Sequence, residues 1–162
     1  MNFWKDKRVL ITGSTGFKGS WLAMWLHMLG ADIRGYALQP DDKKSIFLRL
    51  GVGSFCPTTF SDIRNEKNLF KLIVDFKPEI IFHLAAQPLV QQSYLDPRST
   101  FETNIMGTIN IIEAAMKVNS VKSVINVTSD KVYENHSLQR GYKEIDTLNG
   151  RDPYSNSKSC AD

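Results

Sequence analysis

Short apolar segments of strand length alternate with helical patterns along most of the chain. The segments predicted as strands are residues 8–12, 33–38, 55–60, 79–83 and 123–127. A helical pattern over residues 66–76 ends before Pro78, and another follows the first strand and ends at Gly30. Alternation at this spacing predicts an α/β fold with a parallel, doubly wound sheet.

The longest predicted helix runs from near residue 100 to residue 118. Its apolar residues recur at near-helical spacing, and further apolar residues widen the stripe. The main stripe is Phe101, Ile105, Ile109, Ile112 and Met116, and it is widened by Ile111, Ala114 and Ala115. We expect a face this wide to be buried on two sides, by the sheet and by a partner.

A glycine-rich loop, residues 13–19, joins the first strand to the first helix. Glycines allow a sharp turn and close backbone approach, and a helix N-terminus offers unpaired N–H groups and a positive dipole end. The spacing is GxxGxxG rather than GxGxxG, and the Gly-Lys-Ser/Thr ending of a P-loop is absent. A simple glycine turn is the alternative, but the position between strand and helix favours phosphate binding.

The residues expected near the adenosine of a dinucleotide do not identify which dinucleotide is bound. The second strand ends near Gln39 without an acid, and Asp41, Asp42, Lys43 and Lys44 come shortly afterwards. These residues do not separate NAD from NADP. Asp62 and Ile63, just past the third strand, are placed to meet an adenine edge. A helix cap is an equally good interpretation of Asp62.

Tyr154 and Lys158 lie four residues apart, so they share one face of a predicted helix. An ammonium group beside a phenol favours the phenolate, and the pair can then take a proton from a sugar hydroxyl. The spacing alone is common on helices that have no chemical role. Ser129 follows the fifth strand, where parallel strands line a crevice. The glycine loop, Ser129 and Tyr154 therefore converge on one predicted site.

Composition excludes several other classes. The net charge of the 162 residues is +3, and the scattered basic residues argue against nucleic acid as a partner. The longest apolar stretch, residues 21–29, is far too short to span a membrane. Cys56 and Cys160 form no CxxC pair and the histidines show no ligand spacing. We expect reduced thiols, a cytoplasmic protein and no metal.

Five segments carry a resemblance to a known family, and together they span nearly all of the chain. They are Thr12 to Leu22, Ile81 to Val90, Thr100 to Thr108, Asn126 to Asn135 and Asp152 to Lys158. The chain resembles the extended short-chain dehydrogenases/reductases, which have a Rossmann-like fold. FKGSW and TSDK followed by tyrosine are similar to the nucleotide-sugar 4,6-dehydratases that act on CDP-glucose. Related dTDP-glucose enzymes carry Thr-Asp-Glu where this chain has Ser129-Asp130-Lys131.

The resemblance implies an NAD site and assigns residues to it. The implied cofactor-binding residues are Gly13, Thr15, Gly16, Phe17, Gly19, Asp62, Ile63, Leu84, Ala85, Ala86, Tyr154 and Lys158. Small residues at 84–86 would let the backbone approach the cofactor, although tight packing alone also favours alanine. The resemblance also implies that Asn104 bonds backbone near the active site; a structural asparagine describes it equally well. Gln87 and Asn135 are assigned to the sugar.

The resemblance also implies a reaction. Tyr154 would deprotonate the C4 hydroxyl while NAD accepts the C4 hydride, with Lys158 holding the phenolate and the nicotinamide ribose. Ser129 would hydrogen-bond the developing C4 carbonyl, and Asp130 would protonate the departing C6 hydroxyl. Lys131 would be either the base at C5 or a cation that stabilises the enolate. Hydride return to C6 would give a 4-keto-6-deoxy sugar nucleotide.

Chains of this family are considerably longer and place a sugar-nucleotide lobe mainly beyond the segment matched here. We therefore expect residues 1–162 to form an N-terminal cofactor domain that lacks its last strands and the substrate lobe. The resemblance also implies a homodimer through the 100–118 helix and the Tyr154 helix. A different nucleotide-sugar epimerase or reductase, or a cofactor-binding module without catalysis, are the alternatives.

Overall fold

A computed structural model describes residues 3–40, 45–136 and 139–162. Five parallel strands form one sheet in the order β3-β2-β1-β4-β5. They are β1 (Arg8–Thr12), β2 (Asp32–Ala37), β3 (Thr58–Phe60), β4 (Ile80–His83) and β5 (Ser123–Asn126). The order confirms the predicted doubly wound sheet. The pairs flagged after β2, Asp41-Asp42 and Lys43-Lys44, lie outside the described residues.

Helices cover both faces of this sheet. They are α1 (Phe17–Met28), α2 (Ile46–Arg49), α3 (Glu66–Phe76), α4 (Val90–Leu95), α5 (Pro97–Phe101), α6 (Gly107–Met116) and α7 (Pro153–Ala161). A π turn, Glu102–Met106, joins α5 to α6 in one continuous helix. The third strand starts later than predicted because the N–H groups of Phe55 and Cys56 donate to the Val52 carbonyl, which prolongs the 3-10 turn Val52–Ser54.

Two apolar cores lie on opposite faces of the sheet because successive strand residues point to opposite sides. Val9 and Ile11 pack with α1 residues such as Leu26 on one face. Leu10, between them, packs with α3 and α6 residues such as Ile73 on the other. Both faces are therefore covered, as a parallel sheet requires.

The long helix turns only part of its apolar stripe toward the sheet. Ile111 and Ala114 are buried in the core, whereas Ile109, Ile112 and Met116 are 38%, 46% and 81% exposed. The expected contact with the sheet is confirmed for the inner residues. The contact of the outer residues with a partner stays a prediction. In the described ranges no helix is both long and apolar enough to cross a membrane.

Candidate active site

A cleft of about 850 Å³ crosses the carboxyl ends of the strands. Thirteen of the residues predicted from the sequence line it, namely Gly13, Thr15, Gly16, Phe17, Gly19, Asp62, Ile63, Leu84, Ala85, Ala86, Gln87, Tyr154 and Lys158. They come from separate segments of the chain, which the parallel topology brings to one edge of the sheet. The cleft is large enough for a small-molecule ligand of cofactor size.

The glycine loop fits tightly against the segment that follows β4. Gly13 has a φ of +70°, and a Cβ at this position would lie 2.9 Å from the Ala85 nitrogen and from the Leu84 carbonyl carbon. A Cβ at Gly19 would overlap the carbonyl oxygen of Gly13. Glycine is therefore required at both positions, by conformation at Gly13 and by space at each.

The N-terminus of α1 faces the cleft without a side-chain cap. Gly16 is the N-cap residue, no side chain bonds the first-turn amides, and no acid lies in the first turn. Lys18, also in that turn, lines the cleft. Thr15 ties the loop to β2 by donating its hydroxyl to the Leu38 carbonyl at 2.9 Å. Free amides, a positive dipole end and an ammonium group suit the diphosphate of a dinucleotide.

Asp62 is held by Arg64 at the β2–β3 end of the cleft. Its carboxylate accepts the Arg64 backbone N–H at 2.8 Å and the Arg64 Nη2 at 2.7 Å. The hydrogen bond from the Arg64 side chain is the main reason that the pKa of Asp62 is lowered. The helix-cap interpretation of Asp62 is wrong, because Asn65 caps α3 by accepting the Asn68 N–H. Contact with an adenine stays a prediction.

Tyr154 and Lys158 enter the cleft from the first turns of α7. Asp152 caps this helix by accepting the Ser155 N–H at 2.9 Å, and Pro153 occupies its first position. Lys158 is only 3% exposed. Its Nζ donates to the Val127 carbonyl at 3.0 Å, at the end of β5. Burial lowers the pKa of Lys158, and the charge of Asp162 partly opposes this shift.

Asn104, in the π turn, joins two walls of the cleft. Its Oδ1 accepts the Gln87 backbone N–H at 2.8 Å, and its Nδ2 donates to the Ser157 hydroxyl at 2.8 Å. Ser157 in turn donates to the Tyr154 carbonyl at 2.7 Å. The predicted bond from Asn104 to backbone is therefore confirmed, and it connects the segment after β4 with α7.

Gln87 lines the cleft, but its side-chain amide is engaged within the wall. It donates to the Thr100 hydroxyl at 2.8 Å and to the Leu89 carbonyl at 3.2 Å, and it accepts the Leu89 N–H at 2.6 Å. Asn135 is exposed and lies outside the residues that line the cleft. The assignment of both residues to the sugar stays a prediction.

Ser129, Asp130 and Lys131 lie beside the cleft, directly after Thr128, which lines it. Ser129 caps a 3-10 turn, Asp130–Val132, by accepting the Lys131 N–H at 3.2 Å. Its hydroxyl donates to the Asp130 carboxylate at 3.2 Å. To reach a sugar oxygen, the Ser129 hydroxyl must therefore turn away from Asp130. The catalytic roles of these three residues stay predictions.

Sequence reasoning missed two polar residues that line the cleft, Arg64 and Lys18, and the buried contacts of His83 beneath it. Arg64 could have been suspected, because an arginine two residues after an aspartate in a turn can fold back on it. Lys18 lies in the glycine loop, and the glycine spacing that defines this loop does not require a cation at that position. Nothing in the local sequence of His83 indicated the buried threonines that it contacts. The described ranges contain no group of three or more His, Cys, Asp or Glu placed to hold a metal ion.

Comparison with known proteins places this geometry among nucleotide-sugar enzymes. A family model described as GDP-mannose 4,6 dehydratase matches residues 10–162. The chain is 48% identical, over 99% of its length, to the CDP-glucose 4,6-dehydratase of Salmonella typhimurium strain LT2, and covers 45% of that protein. It is 31% identical, over 96% of its length, to the CDP-paratose 2-epimerase of Salmonella typhi, and covers 51% of that protein. The chain thus spans about half the length of the curated relatives it matches.

Solved structures give the same fold. The UDP-glucose 4-epimerase of Thermus thermophilus, solved as a complex with NAD, superposes with a TM-score of 0.82 at 27% identity. The superposition covers 95% of this chain and 48% of that one. The five-stranded sheet and its flanking helices therefore correspond to about half of that Rossmann-fold epimerase.

Proposed function

The chain belongs to the GDP-mannose 4,6-dehydratase family of extended short-chain dehydrogenases/reductases, and from that premise we propose that it is the NAD-binding half of a CDP-glucose 4,6-dehydratase. The substrate is taken from the relative that is 48% identical over 99% of this chain. NAD is supported by the Thermus thermophilus epimerase, whose complex holds it. In this proposal residues 1–162 form the cofactor domain of that enzyme.

The main support for the proposal is that separate predicted segments meet in one cleft. The glycine loop, the 84–86 segment and the Tyr154–Lys158 pair line a single cleft. After β1, the central strand of the sheet, the α1 N-terminus offers amides without a side-chain cap to a diphosphate. In this proposal Lys158, bonded to the Val127 carbonyl after β5, and Tyr154 would lie between the nicotinamide and the sugar. A bound NAD supplies the hydride acceptor for C4 and the hydride donor for C6.

Tyr154 and Lys158 would carry the proton transfer at C4. The Lys158 ammonium, held by the Val127 carbonyl, stabilises negative charge on the Tyr154 oxygen, which takes the proton of the C4 hydroxyl. Ser129 then donates to the C4 oxygen once its hydroxyl leaves Asp130. A positioned donor at this atom stabilises charge that develops as the carbonyl forms.

Asp130 and Lys131 would carry the loss of water across C5 and C6. Asp130 gives a proton to the departing C6 hydroxyl, so that the leaving group is water. Lys131 takes the C5 proton in its neutral form; alternatively, as a cation, it stabilises the enolate while another group takes the C5 proton. Net, C4 is oxidised, C6 is reduced and one water is lost.

An epimerase on the same scaffold is the second candidate, because the chain is 31% identical to a CDP-paratose 2-epimerase. Incubation with CDP-glucose and NAD separates the two. A dehydratase converts CDP-glucose to the 4-keto-6-deoxy product, visible by mass as the loss of one water, whereas an epimerase leaves the mass unchanged. If the chain binds NAD but gives neither product, it is a cofactor domain that needs the sugar-nucleotide lobe.

Tyr154→Phe is the matched variant for this assay. It removes the oxygen that takes the C4 proton and keeps the ring that lines the cleft. We expect it still to bind NAD, because the glycine loop and Lys158 are unchanged, and to form no 4-keto product. Product formation by Tyr154→Phe at the wild-type rate would contradict the assignment.

A further inference from the structure

His83, the last residue of β4, lies between two threonine hydroxyls in the centre of the fold. It is 1% exposed. Its Nδ1 is 2.7 Å from the Thr12 Oγ1, and its Nε2 is 3.1 Å from the Thr108 Oγ1. Thr12 ends β1 and Thr108 lies in the first turn of α6. The imidazole therefore links three elements, and none of the chemistry proposed above uses it.

The hydrogens of this network can be assigned by counting donors and acceptors. Thr108 donates its one hydroxyl hydrogen to the Asn104 carbonyl at 2.7 Å. The hydrogen between Thr108 and His83 must then come from Nε2. The Thr12 Oγ1 accepts the N–H groups of Leu84 and Ala85, each at 3.1 Å. Both of its lone pairs are then used, so its own hydrogen goes to the bare Nδ1.

The environment keeps the imidazole neutral, as this assignment requires. Burial, with a further contribution from the Lys158 charge, lowers the pKa of His83 to about 4. A protonated ring would carry a hydrogen on Nδ1 and would compete with the two amides for the lone pairs of Thr12. The neutral ring with hydrogen on Nε2 leaves every donor of the network with an acceptor.

The two amides that Thr12 accepts belong to the segment that faces the glycine loop. Leu84 and Ala85 line the cleft, and their backbone passes so close to Gly13 that a Cβ there would lie 2.9 Å away. We propose that His83 is a positioning residue: by fixing the Thr12 hydroxyl as an acceptor, it holds the Leu84–Ala85 backbone in the place that shapes the cofactor cleft. This inference deepens the proposed function, on which its binding readout rests.

Hydrogen exchange at the Ala85 amide tests the inference without any ligand. The Leu84 N–H also reaches the Thr12 carbonyl, at 3.3 Å, so Ala85 is the more specific probe. In Thr12→Val the acceptor is lost, and we expect Ala85 to exchange about tenfold faster or more. Thr12→Ser keeps the hydroxyl, so the Ala85 amide should exchange in this variant at the wild-type rate.

A second pair of variants tests His83 itself and covers the case in which Thr12→Val fails to fold. Asparagine at position 83 keeps an acceptor near the place of Nδ1, whereas leucine does not. We expect fast exchange of Ala85 in His83→Leu and near wild-type exchange in His83→Asn. Ser93→Ala is the control, because Ser93 is fully buried and its hydroxyl bonds the Val90 carbonyl away from this network. It should lower stability and leave Ala85 unchanged.

NAD titration of the same variants tests whether the position of the Leu84–Ala85 backbone affects cofactor binding. We expect affinity to fall by about tenfold in Thr12→Val and His83→Leu, and to stay within about twofold in the serine and asparagine variants. Equal exchange of Ala85 in all variants, equal acceleration in Ser93→Ala, or ¹⁵N shifts that place the ring hydrogen on Nδ1 would overturn the inference. If the wild type binds no NAD, the proposed function fails, and the exchange of Ala85 still decides the role of His83.

Discussion

At the scale of single residues, Lys158 places an ammonium group in a buried position beside the cleft, where its charge lowers stability and is available for binding or chemistry. The side chain is 3% exposed, and its Nζ has the Val127 carbonyl as a hydrogen-bond acceptor. Burial lowers the pKa of this group below its ordinary value of 10.5. A buried cation of this kind destabilises the folded chain, so its presence fits a role in binding or chemistry better than a role in stability.

The Lys158 shift predicts a pH dependence of stability. Between the folded-state pKa and 10.5 the unfolded chain binds more protons, so the free energy of unfolding gains from this group as pH rises through that window. Lys158→Met, of similar length and without charge, lacks this gain. We expect the wild type to become more stable relative to Lys158→Met from neutral pH to about pH 10. Denaturant unfolding at several pH values measures the difference in free energy of unfolding between the two proteins. A difference that does not change with pH would contradict the lowered pKa of Lys158.

At the scale of elements, the start of α7 decides where Tyr154 and Lys158 lie. Asp152 accepts the N–H of Ser155 at 2.9 Å as well as the Ser155 hydroxyl. Burial alone would raise the pKa of Asp152, but the hydrogen bonds from Ser155 outweigh it and the pKa is lowered. The cap therefore stabilises the helix above the ordinary pKa of 3.8, and this contribution is lost as pH falls through the lowered value.

Removal of this cap is expected to be measurable. Asp152→Ala should lower the free energy of unfolding by about 1 kcal/mol at neutral pH, since an N-cap acceptor contributes about this much. Asp152→Asn keeps an acceptor and should lose less. Thermal or urea unfolding compares the two variants. An alanine variant as stable as the asparagine variant would mean that the cap contributes nothing.

At the scale of the whole molecule, sequence patterns predicted the architecture, because strand length, helix period and glycine position are local properties. The glycine loop and the family resemblance together predicted half of the residues that line the cleft. The bounds of β1 and α3 agree with the predicted ranges. The π turn at Glu102–Met106 was not predicted, since it has no local sequence pattern. The network around His83 was missed for the same reason, because Thr12 and Thr108 are far from it in sequence.

The exposed apolar face of the long helix predicts that the chain self-associates. Ile109, Ile112 and Met116 are exposed on α6, and we propose that this face contributes to a homodimer. We expect sedimentation to detect self-association that strengthens with concentration, and Ile112→Glu to weaken it by burying an unpaired charge. Val74→Glu, on α3, is the control, because Val74 is also partly exposed. Equal self-association of both variants would contradict the assignment.

The most direct test of the account is calorimetric titration of NAD into the 162-residue chain and two glycine variants. In Gly13→Ala, alanine must adopt the left-handed backbone conformation of Gly13, and its Cβ would press against the backbone of Leu84 and Ala85. Gly141→Ala is the control, since nothing lies within 4 Å of a Cβ there. We expect one NAD per chain for the wild type and Gly141→Ala, and no measurable binding for a folded Gly13→Ala. A wild-type chain that binds no NAD, or a Gly13→Ala variant that binds it equally well, would contradict the assignment of the cleft to NAD.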